Sequence, residues 1–424
     1  MIVLDIKKLA KAEEANLIAW RRHFHENPEL SQKEFKTMDF IEEKLHGWGI
    51  ETVRVPHGGV FGTIDSGKPG WTVLMRADID ALPILEDPKN LSKDKIVVSK
   101  NKGVAHMCGH DGHMSMLLTE AKILAEHKDE WEGKVLLMFE EAEEMGERGI
   151  GPLLTYLDDH KIHVDASFGT HVYNVLQAGK VAVMAGGVMA GAFFYQVKIH
   201  GKGGHGSRPD LAVNPIDAFT AFSTELSAYR MKHISPRDCF TYSFGMVQAG
   251  DTPNVIPDTL TFAGTARCFN NDDGLAFRKN FWKILHNVAE NFDCKVEILV
   301  DQYFPVTSNN ADLVKVARKA IEAEVGDVLE DVEPWMASET FSLTESVYPG
   351  VFFLTGIKDD TIGSGAGHHT AEFDIAEYGL TTGVEVALAY VLALLRDKPA
   401  TPSFKKQELR PMVELTEVRP PREG

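Results

Sequence analysis

The chain has 424 residues, which exceeds the usual size of one hydrophobic core and predicts two domains or one domain with a large insertion. Its formal net charge of -18 argues against a surface for nucleic acid or anionic lipid, so we expect neither nucleic acid nor membrane as a partner. No apolar run approaches the roughly 18 residues that span a bilayer, and the first residues lack the apolar core of a signal peptide. These features favour the cytoplasm.

The first part of the chain has the pattern of a parallel sheet covered by helices. The segment LSQKEFKTMDFIEEKLHGWG predicts a helix, with a capping box from Ser31 to Glu34 and a glycine stop at Gly49. WTVLMRADID and GKVLLMFEE are short apolar runs typical of strands, and the helical pattern of DGHMSMLLTEAKILAEH lies between them. A strand, a helix and a second strand in this order predict parallel pairing in an α/β domain.

The pattern changes near residue 190. Six successive segments between FFYQVKIHG and KVEILV alternate as βαββαβ, the ferredoxin-like arrangement, within roughly 110 residues. We therefore assign 188–301 to an inserted α+β domain, and 1–187 and 302–398 to the α/β domain that it interrupts. Residues 399–424, rich in proline and charge, are expected to form an extended tail.

The segment HMCGHDGH, residues 106–113, concentrates three imidazoles, a thiol and a carboxylate. Cys108 and His110 are two residues apart across Gly109, so in an extended loop both side chains face the same point. A thiolate and a neutral imidazole suit zinc or another first-row divalent ion. A cysteine nucleophile with a histidine base, or a purely structural cluster, is the alternative for this segment taken alone.

A second segment, FEEAEEMGERG at 139–149, places four acids in five residues directly after an apolar strand. A solvated charge run is the ordinary interpretation of such a cluster. However, Glu143 and Glu144 are neighbours and are expected to point in different directions. This predicts that one carboxylate binds metal while the other moves the protons of a metal-bound water.

Further candidates stand at equivalent positions, where predicted strands end. His171 closes GTH after DASF, and His368 and His369 lie in a glycine loop, although a single histidine is usually structural. In RADIDALP, Asp78 and Asp80 follow an apolar strand and are either ligands or residues that orient ligand imidazoles; a simple turn is the alternative.

The glycine-rich segment GKGGHGSRP, residues 201–209, has the composition of a phosphate-binding loop but lacks its closing Gly-Lys-Ser/Thr. His205, with Arg208 nearby, is better interpreted as a contact to a substrate anion or to an oxyanion.

Taken in order, these segments resemble metallopeptidase family twenty, in its amidohydrolase branch of aminoacylases, hippurate hydrolases and indole-acetyl-amino-acid hydrolases. The resemblance covers nearly the whole chain, through WRRHFHENPELSQKE, RADIDALPI, HMCGHDGH, FEEAEE, GTH, GKGGHGSRP, NVIPD and HHTAEFDI. It implies a dinuclear metallohydrolase domain, with a mixed sheet flanked by helices, and an inserted domain that acts as a lid and dimerisation surface.

The resemblance also implies the site residues. Two divalent ions, with Zn, Mn, Co and Ni as candidates, would be held by five ligands: Cys108, His110, Glu144, His171 and His369. Phe373 selects His369 over His368, because the family's histidine lies four residues before a phenylalanine. Glu143 would be the general base, and His205 and Asn254 would contact the substrate carboxylate or the developing oxyanion.

The implied reaction is hydrolysis of an N-acyl amino acid to a carboxylic acid and an amino acid by metal-activated water, in a homodimer. A dipeptidase or carboxypeptidase specificity, and a catalytically silent metal-binding homologue, are the alternatives. The chain departs from the family pattern at several positions that put the substrate preference in doubt: Glu140 and Glu141 replace Gln and Pro, Thr340 stands where Asp is common, and Ala371 replaces Pro.

Overall fold

The computed structural model describes residues 4–145, 148–397 and 399–418. These residues form two compact units. The first unit takes its residues from Met1–Val188, Ser308–Glu333 and Leu343–Met412, and the second from Met189–Thr307, Pro334–Ser342 and Val413–Gly424. The chain therefore leaves the first unit and returns to it, which is how an inserted domain is connected.

The elements are numbered in chain order. The helices are α1 (Ile6–Glu26), α2 (Phe35–Gly47), α3 (His110–Glu126), α4 (Ile150–Asp159), α5 (Pro215–His233), α6 (Asn271–Asn291), α7 (Ala311–Glu324), α8 (Phe341–Val347), α9 (Tyr378–Asp397) and α10 (Leu409–Thr416). The strands are β1 (Glu51–Val55), β2 (Gly59–Asp65), β3 (Thr72–Asp78), β4 (Lys134–Glu140), β5 (Ala166–Gln177), β6 (Val181–Ala182), β7 (Gly186–Met189), β8 (Gly191–His200), β9 (Gly204–His205), β10 (Phe240–Gln248), β11 (Val255–Ile256), β12 (Thr259–Cys268), β13 (Lys295–Phe304), β14 (Thr307–Asn309) and β15 (Gly350–Lys358).

The first unit is built on a seven-stranded sheet with the order β1-β2-β4-β3-β5-β15-β6. The four central strands β4, β3, β5 and β15 run parallel, whereas β1, β2 and β6 add antiparallel edges. Strands β3, β4 and β15 are buried on both faces over nearly their whole length, as their continuous apolar sequences require. The predicted mixed sheet flanked by helices is confirmed, and the carboxyl ends of its parallel strands meet at one edge.

Helix α9 is the apolar core helix of this unit. Its 20 residues, with a mean hydropathy of 1.6 over 18 of them, fit a membrane span, contrary to the expectation that no apolar run approaches that length; 83% of that stretch is buried inside the unit. Leu380, Leu388 and Leu392 are fully buried in the core that α9 forms with the sheet. The apolar composition is therefore used for packing within the unit.

The second unit contains a four-stranded sheet with the order β10-β12-β8-β13, in which every neighbouring pair is antiparallel. Helices α5 and α6 pack on this sheet through buried aromatic residues that include Phe222, Phe262 and Phe281. The element order is the predicted βαββαβ ferredoxin-like arrangement. The role of this unit as a lid and dimerisation domain stays a prediction.

The predicted tail differs in part from the expectation. Residues 399–408 carry no regular structure, but Leu409–Thr416 form α10, and the buried Thr416 accepts a hydrogen bond at its carbonyl from Gln302 Nε2 (2.8 Å). An apolar stripe in LRPMVELT explains the helix, since it gives the segment a face to bury. The remainder of the predicted tail, 419–424, lies outside the described residues.

Candidate metal centre

The carboxyl ends of the parallel strands supply the candidate side chains. Asp78 is the last residue of β3, Glu143 and Glu144 follow β4, and His369 lies in the loop between β15 and α9. His171 differs from the expectation, because β5 continues past it to Gln177 and the histidine lies within the strand. Parallel strands bring these positions to the same edge of the sheet, where α/β domains form their sites.

Gly109 allows the loop before α3 to reach this edge. Its φ of 96° is in the left-handed region, and a Cβ atom there would lie 2.3 Å from the Cγ2 atom of Val172. The residue must therefore be glycine. Cys108 comes directly before it and His110 is the first residue of α3, so a turn at a helix start, rather than the predicted extended loop, brings the two side chains together.

Two groups of donor atoms converge around Cys108. One group consists of Cys108, His110 and His171, and the other of Cys108, Glu144 and His369; within each group the donor atoms lie within 4.8 Å of one another. The Cys108 Sγ atom is 3.4 Å from His171 Nε2 and 3.3 Å from His369 Nε2. One thiol common to two sets of imidazole and carboxylate donors suits a pair of divalent first-row ions.

Two buried atoms test whether these residues fit metal ions. His110 Nε2 and Glu144 Oε1 are buried and make no hydrogen bond within the described part of the chain. Glu144 Oε1 lies 3.8 Å from His110 Nε2 and 3.1 Å from His369 Nε2, in neither case with the geometry of a hydrogen bond. Leaving a buried polar atom unsatisfied costs about 1 to 3 kcal/mol. A cation that accepts both lone pairs removes this cost, so the residues fit the metal.

Hydrogen bonds fix the orientation of two of the imidazoles. His110 Nδ1 is 3.1 Å from Asp80 Oδ1, and His171 Nδ1 is 2.7 Å from the carbonyl oxygen of Val172. Because a carboxylate or carbonyl oxygen only accepts, both histidines carry a proton on Nδ1 and turn Nε2 towards the donor groups. Such contacts fix the tautomer and ring plane of a metal ligand.

His113 is excluded as a ligand by its own hydrogen bonds, although its donor atom lies within 4.8 Å of those of His110 and Asp78. Its Nδ1 donates to Asp78 Oδ1 (2.6 Å), and its Nε2 accepts the backbone N–H of Val172 (2.9 Å). Asp78 also accepts from Arg76 Nη1 (2.8 Å), and its nearest approach to His110 is 3.7 Å. The structure thus places Asp80 against a candidate ligand and Asp78 against His113.

The two glutamates after β4 do not point apart as predicted. Glu143–Met145 form a 3₁₀ turn that follows Ala142, whose φ of 57° bends the chain sharply. This turn brings carboxylate oxygens of Glu143 and Glu144 within 4.8 Å of each other and of His110. The prediction assumed an extended chain, in which successive side chains point to opposite sides. In the 3₁₀ turn, the two acids are distinguished instead by the residues that each one contacts. Glu144 belongs to the group with Cys108 and His369.

Ser31 and Glu34 form hydrogen bonds near the site that the sequence did not predict. The predicted capping box is wrong: α2 begins at Phe35, and the side chain of Glu34 makes no cap hydrogen bond. Instead Ser31 Oγ donates to Asp80 Oδ2 (2.6 Å), and Glu34 accepts the N–H of Ala142 (2.8 Å). Burial, with the nearby charge of Asp80, raises the pKa of Glu34 to about 8. A Ser-x-x-Glu pattern before an apolar run looks the same whether the side chains cap the helix or bond to distant residues, so the sequence alone could not distinguish the two arrangements.

Electrostatics of the centre favour metal ligation over a cysteine nucleophile. Burial, with the charge of Glu144, raises the pKa of the Cys108 thiol well above its usual value, whereas a nucleophilic thiolate needs a lowered pKa. Burial lowers the pKa of His171 well below its usual value, which leaves Nε2 as a lone-pair donor. Burial alone would lower the pKa of His110, but Asp78 and Asp80 outweigh it and raise the pKa, so an ion must displace a proton there.

The remaining predicted residues, His205, Arg208 and Asn254, lie in the second unit. His205 Nδ1 accepts hydrogen bonds from the N–H (3.1 Å) and hydroxyl (2.8 Å) of Ser207, so its Nε2 carries the proton and can donate. The antiparallel pair β9 and β11 brings Asn254 beside it, where the carbonyl of Asn254 accepts the N–H of Gly206 (2.8 Å). Arg208 is exposed and pairs with Asp210 through two hydrogen bonds of 2.9 and 2.8 Å. Two of its guanidinium N–H groups therefore already bind a carboxylate.

Comparisons with known proteins agree with this centre. Thermostable carboxypeptidase 2 of Saccharolobus solfataricus is 33% identical over 401 residues, which cover 93% of this chain and 98% of that protein. IAA-amino acid hydrolase ILR1-like 2 of Arabidopsis thaliana is also 33% identical, over 92% of this chain and 89% of its own length. The crystal structure of the YXEP protein of Bacillus subtilis, described as a dinuclear metal-binding peptidase, is similar with a TM-score of 0.73 and 28% identity, covering 91% of this chain and 99% of that one.

The model of the peptidase family M20/M25/M40 matches residues 74–393, a range that contains every candidate ligand described above. The resemblance inferred from the motifs is confirmed. A family match over most of the chain, together with relatives one-third identical over nearly all of it, shows that this protein belongs to the peptidase family M20/M25/M40.

Proposed function

We propose that the protein is a metal-dependent amidohydrolase that cleaves the linear amide bond of N-acyl amino acids into a carboxylic acid and an amino acid. The observation that carries this proposal is the position of Cys108 in both donor groups, with Glu143 beside His110 and Glu144. This arrangement combines a dinuclear ligand set with a second carboxylate at the same point. Relatives that hydrolyse an IAA-amino acid or act as a carboxypeptidase support hydrolysis of a bond to an amino acid.

The proposed roles follow from the contacts. Two divalent ions bound by Cys108, His110, Glu144, His171 and His369 would supply Lewis acidity, which brings the pKa of water towards about 7. Glu143 takes the proton from the attacking water and delivers it to the departing amide nitrogen, because an amine leaves poorly as an anion. This transfer is worth roughly 10²- to 10⁴-fold in rate. Asp80 keeps the ring of His110 turned towards the centre.

The second unit is proposed to supply the substrate contacts. His205 carries its proton on Nε2 because Ser207 donates hydrogen bonds to Nδ1. Its Nε2–H is therefore proposed as a donor to the developing oxyanion or to the substrate carboxylate. Asn254 lies beside it across the β9 and β11 pair and is proposed to share this contact. Arg208 is the weaker candidate, because a substrate carboxylate would have to displace Asp210.

Carboxypeptidase or dipeptidase activity is the second candidate function, favoured by the likeness to the thermostable carboxypeptidase. Both reactions use the same centre and differ only in the acyl group. A catalytically silent homologue is disfavoured because Glu143, the proposed base, is present at the site. Zn, Mn, Co and Ni all suit the ligand set. A cytoplasmic location is proposed because all four cysteines are free thiols, as is usual in a reducing compartment.

We also propose that the protein is a homodimer. Strands β10 and β13 are the edges of the second unit's sheet within the described residues, and an unpaired edge strand is a template for pairing with another chain. In such a dimer, His205 is proposed to act on the centre of the neighbouring subunit.

Replacing Glu143 by Gln tests the proposed reaction. The variant should bind as many ions as the wild type, because the five ligands are intact, and should lose about 10²- to 10⁴-fold in kcat, because the proton carrier is gone. Turnover would be measured with a panel of N-acyl amino acids and dipeptides on metal-reconstituted protein. Glu141→Gln is the matched control, an acid of the same segment outside the donor groups. Wild-type kcat in Glu143→Gln refutes the role of the base.

Metal removal separates the metal mechanism from a cysteine nucleophile. Chelation should abolish activity, and a divalent ion should restore it. Alkylation of Cys108 should be faster in the metal-free protein than in the metal-bound protein, since a bound ion occupies the thiolate. The experiment requires a Cys239→Ser background, because Cys239 is exposed whereas Cys108 is buried. Inactivation by alkylation at the same rate with and without metal would favour the cysteine mechanism.

Replacing Asp80 by Asn tests the orientation of His110. The amide keeps the size of the side chain but weakens the acceptor that holds Nδ1, so metal affinity should fall by about 10- to 100-fold. Competition with a chromophoric chelator measures this change. Asp65→Asn is the control, since Asp65 is an exposed residue at the end of β2 that pairs with Lys134 (2.8 Å). Equal affinities in the two variants would show that Asp80 does not orient the ligand.

Sedimentation equilibrium at micromolar concentration tests the assembly. A homodimer paired through a sheet edge should show twice the chain mass of 47.0 kDa. Substituting lysine for Thr241, an exposed residue of the edge strand β10, places a charge at the edge and should shift the equilibrium towards monomers. A wild-type monomer at this concentration contradicts the proposal.

A further inference from the structure

A chain of buried charged groups connects α1 to both loops that carry candidate ligands. Arg21 and His25 lie on α1, Asp111 follows His110 on α3, and Glu86 belongs to the long segment between β3 and α3. The side chains of Arg21, His25 and Asp111 are at most 2% exposed, and that of Glu86 is 5% exposed. Charges removed from water to this extent require partners with good geometry.

His25 is the centre of this chain. Its Nδ1 is 2.9 Å from Asp111 Oδ2, and its Nε2 is 2.9 Å from Glu86 Oε1. Asp111 also forms an ion pair with Arg21 (2.8 Å), whose nearest approach to His25 Nδ1 is a longer 3.4 Å. Ionised carboxylates only accept hydrogen bonds, so both ring nitrogens of His25 donate and the ring is an imidazolium.

The electrostatics of the two acids support this assignment. Burial alone would raise the pKa of Glu86, but the hydrogen bond and charge of His25 outweigh it and lower the pKa to about 2. Asp111 lies between two cationic groups, since it accepts from His25 at 2.9 Å and pairs with Arg21 at 2.8 Å. Both acids are therefore ionised at neutral pH.

Lys95 extends the chain of charges to the loop of His369. Its Nζ atom is 3.0 Å from Glu86 Oε1 and donates to the carbonyl of Ala371 at 2.9 Å. The N–H of Asp87 donates to the same carbonyl at 3.0 Å. Since Ala371 is two residues after His369, the position of this ligand loop depends on the segment that Glu86 and Lys95 hold.

The two ligand loops also contact each other directly. The N–H of His369 donates to the carbonyl of Met107 at 2.9 Å, and His368 Nδ1 is 3.2 Å from the carbonyl of Cys108. Within the described residues, the loops are thus joined directly by these short contacts and indirectly by the chain from Asp111 through His25, Glu86 and Lys95 to Ala371. Arg21 adds a second indirect route, since it pairs with Asp111 and also lies 3.8 Å from Asp374 and 3.3 Å from Glu377, which follow His369. His25 itself reaches no atom of the two donor groups.

We infer that His25, acting with Lys95, is a positioning residue that holds the His369 loop against the Cys108 loop and thereby sets the affinity for the ion bound by Cys108, Glu144 and His369. This inference rests on the proposed metal-dependent function. It assigns to the first helix a part in forming the centre, although that helix contributes none of the candidate ligands. The other donor group, Cys108 with His110 and His171, takes only Cys108 from the two joined loops' contact and no residue from the His369 loop. Its affinity for an ion should therefore be affected less.

The test compares His25→Gln and Lys95→Met, singly and together. Gln donates from only one end and breaks one of the two links, whereas Met keeps the length of Lys95 without its charge. Titration of metal-free protein with Zn²⁺ should show the binding of one of the two ions weakened by about 10-fold and that of the other weakened less. The double variant should resemble either single variant, because both changes break the same connection. His23→Gln and Lys93→Met, exposed neighbours on the same segments, are the controls.

Hydrogen exchange of the metal-free protein supplies an independent measurement. The amide of His369 should exchange faster in both variants than in the controls, because its bond to Met107 opens more often. If His25→Gln does not fold, Lys95→Met decides the question alone. Control-like exchange at His369, unchanged affinities, or equal weakening of both ions would overturn the inference. A wild-type protein that binds no Zn²⁺ would instead refute the proposed function, and the exchange measurement would still test the connection between the loops.

Discussion

The buried thiol of Cys108 is the constraint on which the centre depends. A thiolate closed off from water is stable only beside positive charge, and here burial and Glu144 both raise the pKa of the thiol. The imidazoles of His171 and His369 approach its sulfur atom within 3.4 Å. A pair of divalent ions would satisfy all of these atoms at once, which would account for one loop residue that is shared by both donor groups.

Asp80 has a comparable importance among the residues that support the ligands. It accepts from His110 Nδ1, from Ser31 Oγ and from the N–H of Glu144, so one carboxylate contacts a candidate ligand of α3 and a candidate ligand that follows β4. Glu140, where the family usually has glutamine, also has a structural role, since it forms a buried ion pair of 2.6 Å with Arg76. The extra acid therefore adds a structural pair below the site and not a further ligand.

Predictions from local pattern succeeded where the pattern had one structural meaning. The ferredoxin-like order followed from alternating strand and helix periods, and the central strands followed from apolar runs that only a doubly covered sheet can bury. The capping box at Ser31 and Glu34 failed because a Ser-x-x-Glu pattern satisfies a helix end and a distant acceptor equally well. The divergence predicted for Glu143 and Glu144 failed because Ala142 adopts a left-handed conformation that ends the extended chain.

By itself, the sequence determined the kinds of donor atoms, their order along the chain and the family, because each motif carries its own residue types and spacing. Only the tertiary structure decided which atoms meet. The distance of 3.3 Å from Cys108 to His369, across 261 positions, depends on parallel pairing between β5 and β15 and on the contacts of the loops that follow the strands. Likewise His113 and His110 are the same residue type in one segment, and they are distinguished only by hydrogen bonds to groups that lie far away in the sequence.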